Sequence, residues 1–450
     1  MNKLAFSLCG VLTFSSCVSY KPAPIERKEI SKKILKELNP PEIKTSVLQF
    51  KEAVRLMSLH NKELALMKGA YRNSLKAAQV QTPLPNPEIS LGLTRAFRLD
   101  EKTAGSSQPF LSVAFTIPLS GRLSLQDNLK QLAAEERLQK LITQHRGLFL
   151  KLREAFIKYS IKNKQISQQK KVISLMDQVL EANKKLVDSG FYSSLDLQRV
   201  QLEKLTQMSA LIEIETEGIS EKGELEKLLN KILKSEVLEE PVHIDFSVPD
   251  IREIWHAALL NNWELNDIFM QYTIAEKKLE LEIRKQYPDL EIGSGLAQEP
   301  GEKKRLLSLS IGIDLPVFDR NQVEIQKALG ERQLIKLKFE KKVSNIRLKL
   351  QNKLDLLRKE IFHYKHLKGN TIPKIEELLK TAEKAVEVGE LSLGRYWDFK
   401  ARSLEIEKEL FQRKARIYTI IFELEKTVGR PLIKIFKYDH QLFDEMETEK

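Results

Sequence analysis

The sequence predicts an α+β membrane protein built from two structural repeats, each with two transmembrane β-strands and a pair of long helices. The strands are expected to form a β-barrel shared between protomers, continued by an α-helical barrel. Three observations predict this. A strand-to-helix junction occurs twice, in Leu111–Glu135 (LSVAFTIPLSGRLSLQDNLKQLAAE) and in Leu307–Ala328 (LSLSIGIDLPVFDRNQVEIQKA), with Pro316 standing where Pro118 stands. Four short segments alternate apolar with small or polar residues. Helical spacing of apolar residues then runs without proline for far longer than an ordinary domain needs.

Composition agrees with long helices. Of 450 residues 42% are hydrophobic, only 7% are aromatic and 30% are charged, which suits extended helices better than a thick globular core. The net charge of +12 does not form a basic stripe: Lys and Arg alternate with Glu along helical faces, as in Glu135, Glu136, Arg137 and Lys140. No nucleic-acid partner is therefore expected. Both cysteines, Cys9 and Cys17, lie at the N-terminus, so no disulfide or thiolate metal site is expected beyond them.

The N-terminus reads as a leader. A short positive start, an apolar run from Leu4 to Phe14 and the small residues Ser15-Ser16 before Cys17 predict a signal peptide over residues 1–16. Phe14-Ser15-Ser16-Cys17 resembles a bacterial lipobox, and acylation of Cys17 would hold the chain on a membrane. Val18 in place of an aspartate favours the outer membrane. Residues 17–46, charged and flanked by prolines, form the expected lipid-anchored tether. No later segment approaches about 18 consecutive apolar residues, so no transmembrane helix is expected.

The first repeat is expected over residues 47–240. Helical spacing covers Val47 to Val80 and ends at Pro83, Pro85 and Pro87. Strands are expected at about 86–97 and 109–118, with Ile89, Leu91 and Leu93, then Leu111, Val113, Phe115 and Ile117, on one apolar face. Long helices follow at about 122–189 and 194–230, separated by Asp188-Ser189-Gly190-Phe191-Tyr192-Ser193-Ser194. Gly190 suits a helix C-terminus and Ser193 or Ser194 an N-cap.

The second repeat, residues 241–432, has strands at about 288–297 and 306–316 and helices at about 320–388 and 392–429; residues 433–450 are left as a tail. Its landmarks keep one offset. Asn262-Trp263-Glu264-Leu265 follows Asn61-Lys62-Glu63-Leu64 by 201 residues, Pro288 follows Pro87 by 201, and Pro316 follows Pro118 by 198. Gly389 follows Gly190, and Leu424-Glu425-Lys426 follows Leu225-Glu226-Lys227, by 199. Order and spacing kept together imply duplication. Gly121 and Asp319 appear as a departure between the copies, so the two junctions need not bend alike.

Four strands cannot close a barrel with a lumen, which takes about eight, and lipid does not tolerate an open sheet edge. Protomers must then share the barrel. The competing reading is a lipid-anchored periplasmic coiled-coil adaptor or scaffold whose strands form a soluble β domain with its apolar faces buried together.

At this point the landmarks resemble the TolC-type outer membrane efflux protein family, its lipoprotein branch in particular. The resemblance covers nearly all of residues 17–432. It rests on Pro85-Asn86-Pro87, Ile117-Pro118-Leu119-Ser120-Gly121-Arg122, Tyr287-Pro288-Asp289-Leu290, Leu315-Pro316-Val317-Phe318-Asp319 and the turns at Gly190 and Gly389. It implies a homotrimer with a 12-stranded barrel in the outer membrane and a helical tunnel across the periplasm. It also implies docking to a periplasmic adaptor (membrane fusion protein) paired with an inner-membrane pump. By position, Gly190, Phe191, Ser193, Gly389, Leu391 and Ser392 would form the periplasmic tip. Asp196 fits an acidic position six residues after the glycine, whereas Arg395 occupies the equivalent place in the second copy with Asp398 three residues on. A salt-bridged latch between Arg395 and Asp398 is the alternative to an acidic ring.

No catalytic, cofactor or metal motif is present: no P-loop, HExxH or G-x-S-x-G. His363 and His366 read as surface residues, and Trp255, Trp263 and Trp397 as packing residues. Glu88, Glu291 and Asp314 are expected to line a wet lumen. A passive conduit without enzymatic activity follows, its cargo unspecified.

Overall fold

A computed structural model describes residues 20–38, 47–95, 107–188, 193–233, 237–238, 246–298 and 304–448. Cys17, Gly190 and Phe191 lie outside the described residues. The chain divides into two units, residues 1–44 and 45–450. The first contains helix α1 (Arg27–Leu38), none of whose residues is buried.

In the second unit each half is built in the same order. The first runs through β1 (Val47–Leu48), α2 (Phe50–His60), α3 (Lys62–Ala78), β2 (Glu88–Arg95), β3 (Ser107–Pro118), α4 (Arg122–Asp188) and α5 (Ser194–Leu229). The second runs through β4 (Val237–Leu238), α6 (Ile251–Asn261), α7 (Trp263–Arg284), β5 (Asp289–Gln298) and β6 (Arg305–Ile313). It continues with α8 (Gln322–His366), a π-helical turn (Leu367–Thr371), α9 (Ile372–Glu387) and α10 (Leu393–Val428), and the chain closes with α11 (Asp439–Thr448). At 67 residues α4 is about 100 Å long, at 1.5 Å per residue.

The helical stretch read over Val47 to Val80 is divided at Asn61. The Asn61 carboxamide oxygen accepts from the backbone N–H groups of Glu63 and Leu64 at 3.0 and 3.1 Å, and its Nδ2 donates to the Leu228 carbonyl at 2.9 Å. One side chain thus starts α3 and ties it to the end of α5. Asn262 does the same for the second half: it accepts from Leu265 N–H at 3.0 Å and donates to the Thr427 carbonyl at 2.6 Å. Both asparagines are buried, 7% and 3% exposed. The oxygen and the nitrogen of each carboxamide, taken from water, are therefore matched to partners that only the folded chain supplies.

The ends of α5 and α10 match as well. Asn230 (φ 51°) and Gly429 (φ 91°) are left-handed caps, and Glu226 and Glu425 each accept from the backbone seven residues on, at Leu233 and Leu432. A Cβ at Gly429 would collide with the Asn261 carbonyl, so this cap tolerates glycine alone.

These ties surround the main core. Near the midpoint of α4, Leu148, Phe149, Leu152, Phe156 and Ile157 pack with Phe50 and Met57 of α2, Leu350 to Ile361 of α8, and Ile417 to Val428 of α10. Phe50 stacks on Phe436 with ring centroids 4.2 Å apart. Residues 435–443 therefore belong to the core and do not form a tail: Ile435, Phe436 and Phe443 are all buried. What holds them is a fully buried charge network. Arg153 on α4 pairs with Glu425 and, at 3.0 Å, with Asp439, and also donates to the Ile433 carbonyl. Asp439 in turn accepts from Ile435 and Phe436 N–H at 2.8 and 2.9 Å. Burial pushes the Glu425 carboxyl up, opposed by Arg153 and the backbone N–H groups of Leu432 and Ile433.

The helix read over residues 320–388 is interrupted by the π turn, which α4 lacks. Pro373 follows it and has no N–H to give the Gly369 carbonyl. Widening the preceding turn, so that Ile372 N–H reaches the Leu367 carbonyl, accommodates the ring without ending the helix.

Replacing Arg153 by Met should leave two carboxylates buried without their cation and cost about 3–5 kcal/mol, because a broken buried pair is worse than none. The check is the thermal midpoint of the purified protein. The triple variant Arg153→Met, Glu425→Gln, Asp439→Asn should recover much of the loss.

Candidate functional site

The four longer strands form one antiparallel sheet in the order β2-β3-β5-β6. Its register places the apolar residues together. Ile89 and Leu91 face Val113 and Leu111; Leu111, Phe115 and Ile117 face Leu296, Ile292 and Leu290; these face Leu307, Ile311 and Ile313. No part of the described chain covers this face: Leu91, Leu309 and Ile311 are 77%, 82% and 78% exposed. A soluble sandwich would have buried them.

The opposite face is small and polar, with Ser90, Ser112, Gly295 and Ser308 in one row and Ala114, Gly293 and Ser310 beside it. Toward one end of the strands Phe110 lies over Gly92 and Leu306 pairs with Ala297 on this face, but its centre has no room for bulk. A Cβ at Gly293 would stand 2.5 Å from Ser310 Oγ, and one at Gly295 2.7 Å from Ser308 Oγ. Glu88 and Glu291 share this face, while Asp314 lies just beyond β6. Among the described residues β2 pairs only with β3, and β6 only with β5, so each leaves one backbone edge open.

Both strand-to-helix junctions turn on a left-handed residue placed just before the helix. In the first, β3 runs to Pro118 and Gly121 (φ 69°) precedes α4; in the second, β6 ends at Ile313, before Pro316, and Asn321 (φ 58°) precedes α8. Gly121 therefore corresponds to Asn321, 200 residues on, and not to Asp319. Both copies thus place a left-handed residue just before the helix, but the corners differ in length: Gly121 follows the end of β3 by three residues and Asn321 follows the end of β6 by eight. Asp319 instead accepts from Asn321 N–H at 2.8 Å and holds the turn.

Polar contacts lock both corners. Arg122 reaches Asp289 at 2.5 Å and Arg284 donates to the Ser120 carbonyl at 3.0 Å, joining the first corner to the end of α7 and the start of β5. Asn321 donates to the carbonyl and carboxylate of Glu282 at 2.9 and 2.7 Å. Burial alone would push the Glu282 carboxyl up; hydrogen bonds from Lys285 and Asn321 outweigh it and hold the group below its ordinary value. Hydrogen bonds from Thr82 and Lys130 likewise lower the Asp127 carboxyl on α4.

At the other end of the helices, Ser193 caps α5 by accepting from Leu195 N–H at 3.1 Å. The second turn is complete. Gly389 (φ 79°) follows α9, with its N–H on the Val386 carbonyl and those of Glu390 and Leu391 on the Ala385 carbonyl, and Ser392 caps α10 by accepting from Arg395 N–H. Asp196 lies in the first turn of α5. The latch read between Arg395 and Asp398 is not formed: Asp398 binds Arg199 of α5 at 3.2 Å. Arg199 and Asp398 hold equivalent places, 199 residues apart, as do Asp196 and Arg395. The two copies thus carry exchanged charges at this end. Beneath them Met176, Val200 and Trp397 pack α4, α5 and α10 together.

The other residues singled out have packing or surface roles. His363 faces Glu409 at 3.5 Å, Arg347 sits over the Trp255 ring, and Trp263 packs on the main core. Among the described residues no group of three or more His, Cys, Asp or Glu side chains is placed to hold a metal, and no helix is long and apolar enough to cross a membrane.

A small antiparallel sheet continued by two long helical hairpins, one per repeat, is the fold of the TolC-type outer membrane channels. The chain is similar to a crystal structure of CusC at 13% identity and a TM-score of 0.68, covering 87% of this chain and 95% of that one. It is also similar to the CmeC outer membrane channel of Campylobacter jejuni (11% identity, TM-score 0.67, 96% and 95% covered) and the open-state MtrE channel of Neisseria gonorrhoeae (12%, 0.65, 88% and 94%). No protein-family model and no curated protein matches the sequence. At these identities the likeness establishes the fold.

Gly121→Val should strain the first corner by about 1–3 kcal/mol, since a β-branched residue resists positive φ. Gly121→Asn, which copies the second corner, should cost much less. Thermal midpoints of the two variants in detergent check the difference; equal losses would mean that the conformation is not what matters there.

Proposed function

We propose that this chain is the outer membrane channel component of a tripartite efflux or export system, a passive trimeric conduit. It would receive substrate from an inner-membrane pump through a periplasmic adaptor. The observation that carries the reading is the sheet: one largely apolar face, broken at Ser294, an opposite face small and polar at its centre, and, among the described residues, two open edges. Strands of 8, 12, 10 and 9 residues are close to the about 9–11 that a tilted transmembrane β-strand needs. Three copies joined edge to edge give 12 strands, an even number with no free edge, with apolar side chains toward lipid and serine and glycine toward water. Likeness to proteins described as outer membrane channels supports the same reading.

The remaining assignments follow from this one. Residues 1–16 are the signal peptide and Cys17 the lipidation site, holding the N-terminus at the outer membrane. Pro118, Gly121, Pro316 and Asp319 mark the passage from barrel to tunnel, with Asn321 taking the part first given to Asp319. Gly190, Phe191, Ser193, Gly389, Leu391 and Ser392 form the periplasmic tip on which the adaptor docks. Asp196, Arg395 and Asp398 belong to its gate, where Arg199 and Asp398 clasp the two copies of one protomer. That pair is more than half exposed and so contributes little to stability, which suits a contact that must open. The protein performs no reaction and takes no cofactor; the energy comes from the pump.

Cysteines placed at residues 99–107 or 298–304, between the paired strands, should react with an impermeant thiol reagent on intact cells. Labelling only after permeabilisation would contradict the channel and favour a periplasmic scaffold.

A further inference from the structure

Helix α1 has a feature that the conduit does not use. Over Arg27–Leu38 (RKEISKKILKEL) the residues Ile30, Ile34 and Leu38 recur every four positions, with Leu35 beside them, and form one apolar stripe. Lys28 and Lys32 border it on one side and Lys33 on the other, and five cations stand against Glu29 and Glu37. The stripe is open: Ile30, Ile34 and Leu35 are 45%, 40% and 58% exposed. A short helix of this kind has no reason to hold its shape in water alone, since helices under about 12–15 residues are marginal without a surface to cover their apolar side.

We propose that α1 lies on the periplasmic surface of the outer membrane and binds its anionic phospholipids. Three observations favour a lipid surface over a protein partner. Lysines edge the apolar stripe on both sides, which lets their stems lie along the acyl boundary while the ammonium groups reach phosphates. The excess of positive charge matches an anionic headgroup layer. The helix also begins ten residues after Cys17, so a chain anchored there can carry Arg27 no more than about 36 Å from the bilayer. Within that reach the membrane is present at high effective concentration, and weak adsorption suffices. The inference rests on the lipid-anchored reading above. On that reading the tether makes a second contact with the membrane, one that holds the N-terminal segment flat against the leaflet.

The full-length protein, reconstituted with brominated phospholipid in vesicles of phosphatidylcholine with or without phosphatidylglycerol, provides the test. A solvatochromic probe on Ile34→Cys should be quenched and blue-shifted when phosphatidylglycerol is present. High salt should weaken this effect. The combined change Lys28→Glu, Lys32→Glu, Lys33→Glu, Lys36→Glu should abolish it, and because α1 has no buried residue the rest of the fold should be unaffected. An unquenched Ile34 probe in both lipids, or quenching indifferent to the charge reversal, would overturn the proposal. Two controls separate it from the reading it rests on. A probe on Ile311→Cys reports whether the sheet is in lipid, and label taken up by the unaltered chain would show a free thiol at Cys9 or Cys17, and so a chain that is not acylated.

Discussion

The structure depends on a problem of backbone hydrogen bonding. A four-stranded sheet with one largely apolar face is at ease only against something apolar, and among the described residues β2 and β6 each leave a row of N–H and C=O groups without strand partners. In lipid such groups are not tolerated, because no water replaces the missing bonds. On the proposed reading, closure by further copies would meet both demands at once, while the protomer is well packed at its middle. Small residues on the other face follow from the same geometry, since Gly293 and Gly295 lie against Ser310 and Ser308 with no space for a side chain.

Leaving the sheet is the second constraint. A strand pairs sideways and a helix pairs along itself, so a few residues at each corner must be satisfied by other means. Gly121 and Asn321 reverse the backbone, and Arg122, Arg284, Asp319 and Glu282 supply the polar partners. Below the corners the helices bury little of their length, and stability concentrates in the belt around Phe50, Phe156 and Phe436. There Asn61 and Asn262 pin the short helices to the ends of α5 and α10. Arg153, Glu425 and Asp439 draw the C-terminal segment into the same core.

Much of this was legible in the sequence. Period-two alternation marked all four strands and their faces, because one-sided burial writes itself into every second residue. The duplication was visible in Asn61 and Asn262, in Leu225-Glu226-Lys227 and Leu424-Glu425-Lys426, and in Gly190 and Gly389. What escaped depends on contacts between distant parts. Asn61 breaks a helix that apolar spacing alone would continue, because the Leu228 carbonyl waits for its side chain. Aligning the corners on Pro118 and Pro316 hid the match of Gly121 with Asn321, since prolines mark where a ladder stops and not where the chain turns. Arg395 and Asp398 stand three apart in sequence, yet Arg199 of the neighbouring helix takes the carboxylate. The segment after Leu432 looked like a charged tail because its partner, Arg153, is some 280 residues away.

The central claim is that the open edges of β2 and β6 meet between protomers. Disulfide scanning tests it most directly, with one cysteine placed along Ile89 to Thr94, a second along Leu307 to Ile313, and native membranes oxidised and run on non-reducing gels. Closure between copies predicts bands of two and three linked chains for the pairs in register and none for those out of it. A β2–β6 link formed within one chain, or no link between chains at any register, would contradict it.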